Sequence, residues 1–380
     1  MPDQTASSRR GIPVCAAALA LFLLLGLLRW PETVLAAGRR ALALCEDTIL
    51  PSLFPFFVLS SLVVGLGLAD SFGRLLRPVM RPLFRVSGSG AAALVLGLIG
   101  GYPVGARTVR QLYEEGLISR ADAVRLLAFC NNSGPAFLLG VVGSGVYGSA
   151  QIGLFLCAVH ILAALLVGFC FRFYPVKGTE RARSVRSARR ETKSGAALFT
   201  DAVRSSFSAV LGVCAFLLFF GVVTALMEQA GAFGLLTGLL QKLGLPPELG
   251  RSLCAGVLEL SNGIASLPNA AYSLPLAAAL LGWGGVSVLC QTMGVLDGSG
   301  LPIQTCIWGK ALHGALSALL CLAVQKLCPA AVPALAVQTA PLEQPPFLPR
   351  LCLWSALAAA VFLLLCIAQK RGGKVGSGTI

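Results

Sequence analysis

The sequence predicts an all-α polytopic membrane protein, with about eight transmembrane helices plus two re-entrant hairpins arranged as two inverted repeats. Composition is the first observation behind this. Of 380 residues, 56% are hydrophobic and 12% are charged, where a soluble domain carries about 25% charged residues. Length is the second: apolar runs of roughly 17–23 residues recur along the chain, enough to cross a hydrocarbon core of about 30 Å. The third is a pair of glycine-rich, interrupted segments at matching places in the two halves, SGSGAAALVLGLIGGYPVGA at 87–106 and SLCAGVLELSNGIASLPNA at 252–270.

A net charge of +14 would point to nucleic acid in a soluble protein. Here Lys and Arg fall in loops between apolar runs, and no nucleic-acid-binding motif accompanies them, so they report topology, since cytoplasmic loops collect positive charge. The 13 Cys lie mostly in apolar runs (Cys157, Cys170, Cys214, Cys290, Cys321, Cys366) without a C-x-x-C pair. His160 and His313 stand far apart in sequence. That pattern fits small core- or lipid-facing thiols rather than a zinc or redox centre, so no metal and no cofactor is expected. No G-x-S-x-G, P-loop or H-E-x-x-H motif occurs, and no enzyme activity is expected.

Apolar runs give the spans and basic residues give their sidedness. SSRRGIPVCAAALALFLLLGLLRW has the basic start and apolar body of a signal peptide, and VLAAG at 34–38 has the look of a cleavage site; the spans that follow favour a retained first helix. Residues 12–28 cross outward and about 49–69 cross back, into a segment held inside by Arg74, Arg77, Arg81 and Arg85. Basic residues flank 87–106 on both sides, so it enters and leaves on one face as a re-entrant hairpin. Residues 107–127 read as two short amphipathic surface helices, the first stopped by Gly116, the second capped by Ser119 with Asp122 at N3. Residues 129–143 cross outward and 149–171 return. The loop RFYPVKGTERARSVRSARRETK, whose basic residues outnumber Glu180 and Glu191, is cytoplasmic.

The second half repeats the plan with opposite sidedness. Residues 207–227 cross outward, 252–270 form the second hairpin, 273–296 cross inward, 308–328 outward and 351–368 inward to a basic tail. Both termini are then cytoplasmic. This divides the chain into an N-terminal transmembrane helix (1–40), a first repeat (41–172), a basic linker (173–200), a second repeat (201–330), and an external Pro-rich connection with a C-terminal helix (331–380). Paired interruptions in two inverted halves point to a substrate site at the bilayer midplane.

The chemistry available at that site lies in the interruptions. Gly101, Tyr102, Pro103 and Gly105 make a flexible hairpin tip with Arg107 at its exit, although the Gly101/Gly105 spacing also suits helix packing. In FCNNSGPAFLL, residues 129–139, Asn131, Asn132, Ser133, Gly134 and Pro135 are consecutive helix breakers. Pro135 is placed to begin a new half-helix capped by Ser133 or Gly134, whose free N–H groups would attract an anion; the Asn amides add donors and acceptors. A kink satisfied by neighbouring helices is the structural alternative. Glu259, followed by Ser261 and Asn262, is an ionisable group among apolar residues, suited to a coupling proton or sodium ion or to pairing with Arg107 or Lys310. Gln291 and Thr292 are weaker candidates.

At GGYPVGARTVRQLYEEGLISRADAVRLLAFCNNSGPAF the sequence resembles the YlbJ-type sporulation integral membrane proteins of the Gate, or nucleoside-recognition, group, which includes concentrative nucleoside transporters. The resemblance covers most of the chain, is strongest from Gly100 to Gly140, and recurs at GVLELSNGI (256–264) and LLGWGGVSVLCQTMGVL (280–296). It implies a transporter of two gate repeats in a bacterial cell membrane, acting late in endospore formation. Dipicolinate, a planar aromatic dianion, is the implied cargo, crossing the outer forespore membrane. Tyr102, Pro103, Asn131, Asn132 and Ser133 match the family motif. The polar nucleobase-binding motifs of nucleoside transporters have no clear counterpart, which makes nucleoside transport the alternative. A second alternative is a membrane protein that recruits spore-assembly factors through the loop 172–193. The expected partners are thus the bilayer, an anionic small molecule and a coupling ion, with room for a homo-oligomer.

Overall fold

The computed structural model describes residues 5–66, 69–176, 195–268 and 272–327. Every regular element among the described residues is a helix. The basic stretch from 177 to 193, the Pro-rich connection, the expected span at 351–368 and the basic tail lie outside them.

Helix α1 (Thr5–Arg29) meets α2 (Pro31–Leu44) at a bend of 104°. Proline explains the bend: Pro31 lacks an N–H to continue the preceding helix, yet fits the first turn of a new one, and Trp30 before it leaves the helical region (φ −131°, ψ 57°). Helix α2, absent from the sequence reading, buries Ala41 with Leu217 of α9 (Gly195–Gln229). A π-helical turn, Cys45–Ile49, leads to α3 (Leu50–Gly65), which packs Phe57 and Val63 on Val210 and Val213 of α9. Helix α4 (Ala69–Val79) widens into a second such turn that ends at Arg85 in the left-handed region (φ 54°). Here the chain bends by 97° into α5 (Ala91–Gly100).

Gly101-Tyr102-Pro103 joins α5 to α6 (Val104–Glu114), with a cis Tyr102–Pro103 peptide. Gly116 turns the chain, as expected, into α7 (Arg120–Leu127), whose capping box between Ser119 and Asp122 is fully formed. The backbone then leaves the helix until Pro135 opens the π-helical segment Ala136–Val146, followed by α8 (Ala150–Phe171). After α9 come α10 (Ala232–Lys242), α11 (Pro247–Leu258), the short α12 (Leu260–Ala265), α13 (Ser273–Trp283), α14 (Gly285–Leu296) and α15 (Gln304–Leu327). The run expected to cross at 273–296 is one candidate span, interrupted locally at Gly284.

Among the described residues, four stretches are long and apolar enough to cross a membrane: α8, α9, Ser273–Leu296 and α15. Counting each bent pair as one span raises the number to six. Leu53–Val63, inside the expected span at 49–69, and Phe137–Val146, which overlaps the one at 129–143, are shorter apolar helices. The halves interleave: Leu138, Val142, Ile152 and Leu156 of the first half share a core with Leu260, Leu274 and Leu281 of the second. At one end, Arg110 donates to the Val295 carbonyl in the last turn of α14 (2.8 Å), and Arg120 to the Gly300 carbonyl in the turn that follows it (2.7 Å).

Between lipid-facing helices apolar burial drives association weakly, and close packing replaces it. The tightest packing encloses the Cys130 carbonyl, because a Cβ at Gly97 or Gly105 would stand 1.8 or 1.9 Å from its oxygen. Gly105→Val should therefore cost about 3 kcal/mol or more by overpacking, read as loss of monodisperse protein on size-exclusion chromatography and a lower Tm. Gly140→Ala, with nothing within 4 Å of the new methyl, should leave both unchanged.

Candidate functional site

Residues 129–134 form non-helical backbone inside a helical bundle, so their polar groups need partners. Asn132 Nδ2 donates to the Phe129 carbonyl (2.8 Å) and the Ser133 N–H to His160 Nε2 (3.1 Å). Asn131 Nδ2 donates to Thr292 Oγ1 (3.0 Å), tying the break to α14. Gly101, at φ +80°, lies so close to Gly134 that a Cβ on it would meet the Gly134 nitrogen at 2.9 Å. The new helix begins at Pro135 as the sequence predicts, but without a side-chain cap. Instead the Ser133 hydroxyl, with Asn131 Oδ1 and Asn132 Oδ1, is buried without a hydrogen-bond partner among the described residues.

The second interruption has a different solution. Glu259 breaks α11 from α12 in an extended conformation, and its carboxylate accepts from Ser261 N (3.0 Å) and Asn262 N (2.7 Å). It is the N-cap of α12, and it is buried.

Both interruptions and the hairpin tip line one cavity of about 80 Å³. Gly101, Tyr102, Ser133, Gly134, Glu259, Ser261 and Gln291 supply its polar surface; Phe56, Phe137 and Leu260 are among its apolar lining. A second cavity of about 190 Å³ lies on the other side of Glu259, lined also by Arg40, Glu228, Arg251, Asn262 and Ser266. Glu259 borders both.

Behind the Tyr102 wall runs a buried polar chain. The Tyr102 hydroxyl donates to the Leu281 carbonyl (2.9 Å) and accepts from Lys310 Nζ (3.2 Å). Lys310 also reaches His313 Nδ1 (3.2 Å), while His313 Nε2 meets the His160 carbonyl (2.9 Å). A carbonyl only accepts, so Nε2 carries the proton and Nδ1 of the neutral ring accepts from Lys310. The two imidazoles lie 4.3 Å apart, centre to centre. Lys310 is completely buried, and no carboxylate pairs with it among the described residues.

The sequence-predicted residues thus separate into layers. Gly101, Tyr102, Ser133, Gly134, Glu259, Ser261 and Gln291 face the first cavity and Asn262 the second, whereas Asn131, Thr292 and Lys310 hydrogen-bond within the protein behind them. Asn132, Pro103, Gly105 and Pro135 shape the backbone. Arg107 turns away: it donates to Ser205 (3.1 Å) and Ser206 (3.4 Å) of α9 and covers the Phe57 ring. Neither Arg107 nor Lys310 pairs with Glu259. His160 and His313, far apart in sequence, carried no signal beyond being polar groups in apolar runs.

Interrupted helices thus meet at one small cavity whose wall is mostly apolar with a few polar groups in it. The Gate family, described as nucleoside recognition, matches residues 48–176. The chain is 32% identical over 327 residues to the sporulation integral membrane protein YlbJ of Bacillus subtilis (strain 168), covering 80% of each, and it belongs to that family of integral membrane proteins. An uncharacterized protein of Alkalihalophilus pseudofirmus is 33% identical over 98 residues, 25% of this chain and 21% of its own. No solved structure matches.

The buried chain makes a stability prediction. His160→Ala strands the Ser133 N–H and should cost about 1–3 kcal/mol. Lys310→Met removes an unpaired buried cation at similar volume and should hold or raise stability. Thermal unfolding of the purified variants measures both.

Proposed function

We propose that the protein is a secondary transporter or facilitator, not an enzyme, for a small anionic metabolite, with dipicolinate crossing the outer forespore membrane as its cargo. The observation that carries this is the convergence of the hairpin tip, the broken helix and Glu259 on one cavity. In this reading 87–106 and 252–270 are re-entrant elements of two inverted gate repeats, with both termini cytoplasmic. A planar dianion needs hydrogen-bond donors at its edges and apolar faces for its ring. Ser133 and Gln291 offer the first, Phe56 and Phe137 the second. Lys310, in its ammonium form, sets a positive potential behind Tyr102.

Glu259 on the same wall would repel a dianion when ionised. A proton or sodium ion that neutralises it therefore accompanies the cargo, and its place between the two cavities gives that ion a route from either. Nucleoside transport is the second reading, favoured by the description of the matching family as nucleoside recognition.

Dipicolinate and uridine flux into proteoliposomes of purified protein tests this. We expect dipicolinate alone to be carried, with flux lowered about tenfold in Tyr102→Phe, Asn131→Ala and Ser133→Ala, the equivalent of one lost hydrogen bond. In Glu259→Gln the dependence of flux on pH should disappear. Selective uridine flux would select the second reading, and no flux of either compound under proton or sodium gradients would leave the recruiting role.

A further inference from the structure

We infer that the surface end of α8 carries a phosphate-binding site, built by Arg85, Arg125, Arg172 and Ser87, that holds the headgroup phosphate of an anionic phospholipid. These residues come from separate elements. Arg85 ends the π-helical turn after α4, Ser87 follows it, Arg125 is in the last turn of α7, and Arg172 caps α8. Arg125 donates to the Arg85 carbonyl (3.1 Å). The Arg85 and Arg172 guanidiniums both lie over the Phe173 ring, at 5.4 and 5.2 Å, and Arg172 also covers Phe169 at 5.1 Å. Phe173 thus gathers two cations and the Arg85 backbone brings in the third.

Like charges held this close repel unless an anion sits among them. Among the described residues no carboxylate lies within ion-pair distance of any of the three. Asp122, one turn before Arg125, acts on it from a distance, but its carboxylate is engaged by the Ser119 N–H. Burial and Arg85 both pull the Arg125 guanidinium below its ordinary value, and Asp122 opposes them.

The second observation is a set of unsatisfied donors. Arg125 Nε, Arg172 Nε and Ser87 Oγ are each buried with no hydrogen-bond partner among the described residues. A buried donor left unpaired is costly, and three at one place specify a ligand rich in acceptors. Phosphate presents several oxygens around one centre, and the guanidinium fork suits it. Position selects the source: Arg172 directly follows a stretch apolar enough to span a membrane, and the same elements expose Leu83 and Phe169, a surface for acyl chains.

The test is native mass spectrometry of the full-length protein with phosphatidylglycerol or phosphatidylcholine, alongside thermal shift in inorganic phosphate. We expect wild type to retain phosphatidylglycerol, and the Arg125→Gln/Arg172→Gln pair to lose it about tenfold or more, as removed charge-assisted hydrogen bonds require. Arg251→Gln, at the exposed pair with Glu228, should retain it. Should the double variant not fold, Ser87→Ala and Arg172→Lys give the same reading with the charge preserved. Stabilisation by inorganic phosphate without lipid retention would keep the site and assign it to soluble phosphate. Equal lipid retention in wild type and the folded variants, with no phosphate-dependent shift, overturns it.

Discussion

Non-helical backbone surrounded by apolar helices is tolerated only when other parts of the protein take up its polar groups, and residues 129–134 impose that demand on much of this fold. Gly97 and Gly105 close around the Cys130 carbonyl, Gly101 presses on Gly134, and Gly309 of α15 lies against the Ala128 carbonyl. The Ser133 N–H finds His160 on α8, and Asn131 reaches Thr292 on α14. The break therefore gathers α5, α6, α8, α14 and α15 at one point. A helix through the same residues would have needed none of them.

Polar groups at the periphery and at the centre are treated differently. Arg110 reaches a carbonyl in the last turn of α14 and Arg120 one in the turn after it, so each cation meets a backbone group that also needs a partner. Lys310, deep inside, has only Tyr102 and His313, and Ser133 Oγ, Asn131 Oδ1 and Asn132 Oδ1 have no partner among the described residues. Stability alone would select apolar residues at such positions. Their concentration behind one cavity wall is the expected mark of a site whose remaining partner is a ligand.

Much of this was legible in the sequence because it depends on local chemistry. The Ser119 capping box, the turn at Gly116, the start at Pro135 and an interruption somewhere within 252–270 each follow from the residue types themselves, whereas its place at Glu259 does not. What was hidden depends on contacts between distant residues. His160 and His313 gave no spacing signal, since their 4.3 Å approach is created by α8 meeting α15. Arg107 read as the exit of the hairpin tip and a pairing partner for Glu259, yet two serines of α9 lie where its side chain extends. Helix α2 was missed because its polar residues, Glu32, Arg39 and Arg40, broke the apolar run that marks a span; the bend at Trp30 lets it lie apart from α1. The division at Gly284 sits inside a continuous apolar run, where hydropathy alone gives no boundary.

The two interruptions differ in how their free groups are held, and the difference bears on how such a site could change state. Around the first, the load is spread over several helices, so no single protonation event or side-chain rotation would release it. At the second, one carboxylate accepts from both Ser261 and Asn262, on a helix of six residues. Protonating Glu259 would weaken both hydrogen bonds together, because a neutral carboxyl is the poorer acceptor. Glu259 also lines both cavities, as Leu217 does. On the proposed function, an ion that neutralises Glu259 would thus act on the residue that caps α12, whereas the first interruption has no single group that could release it.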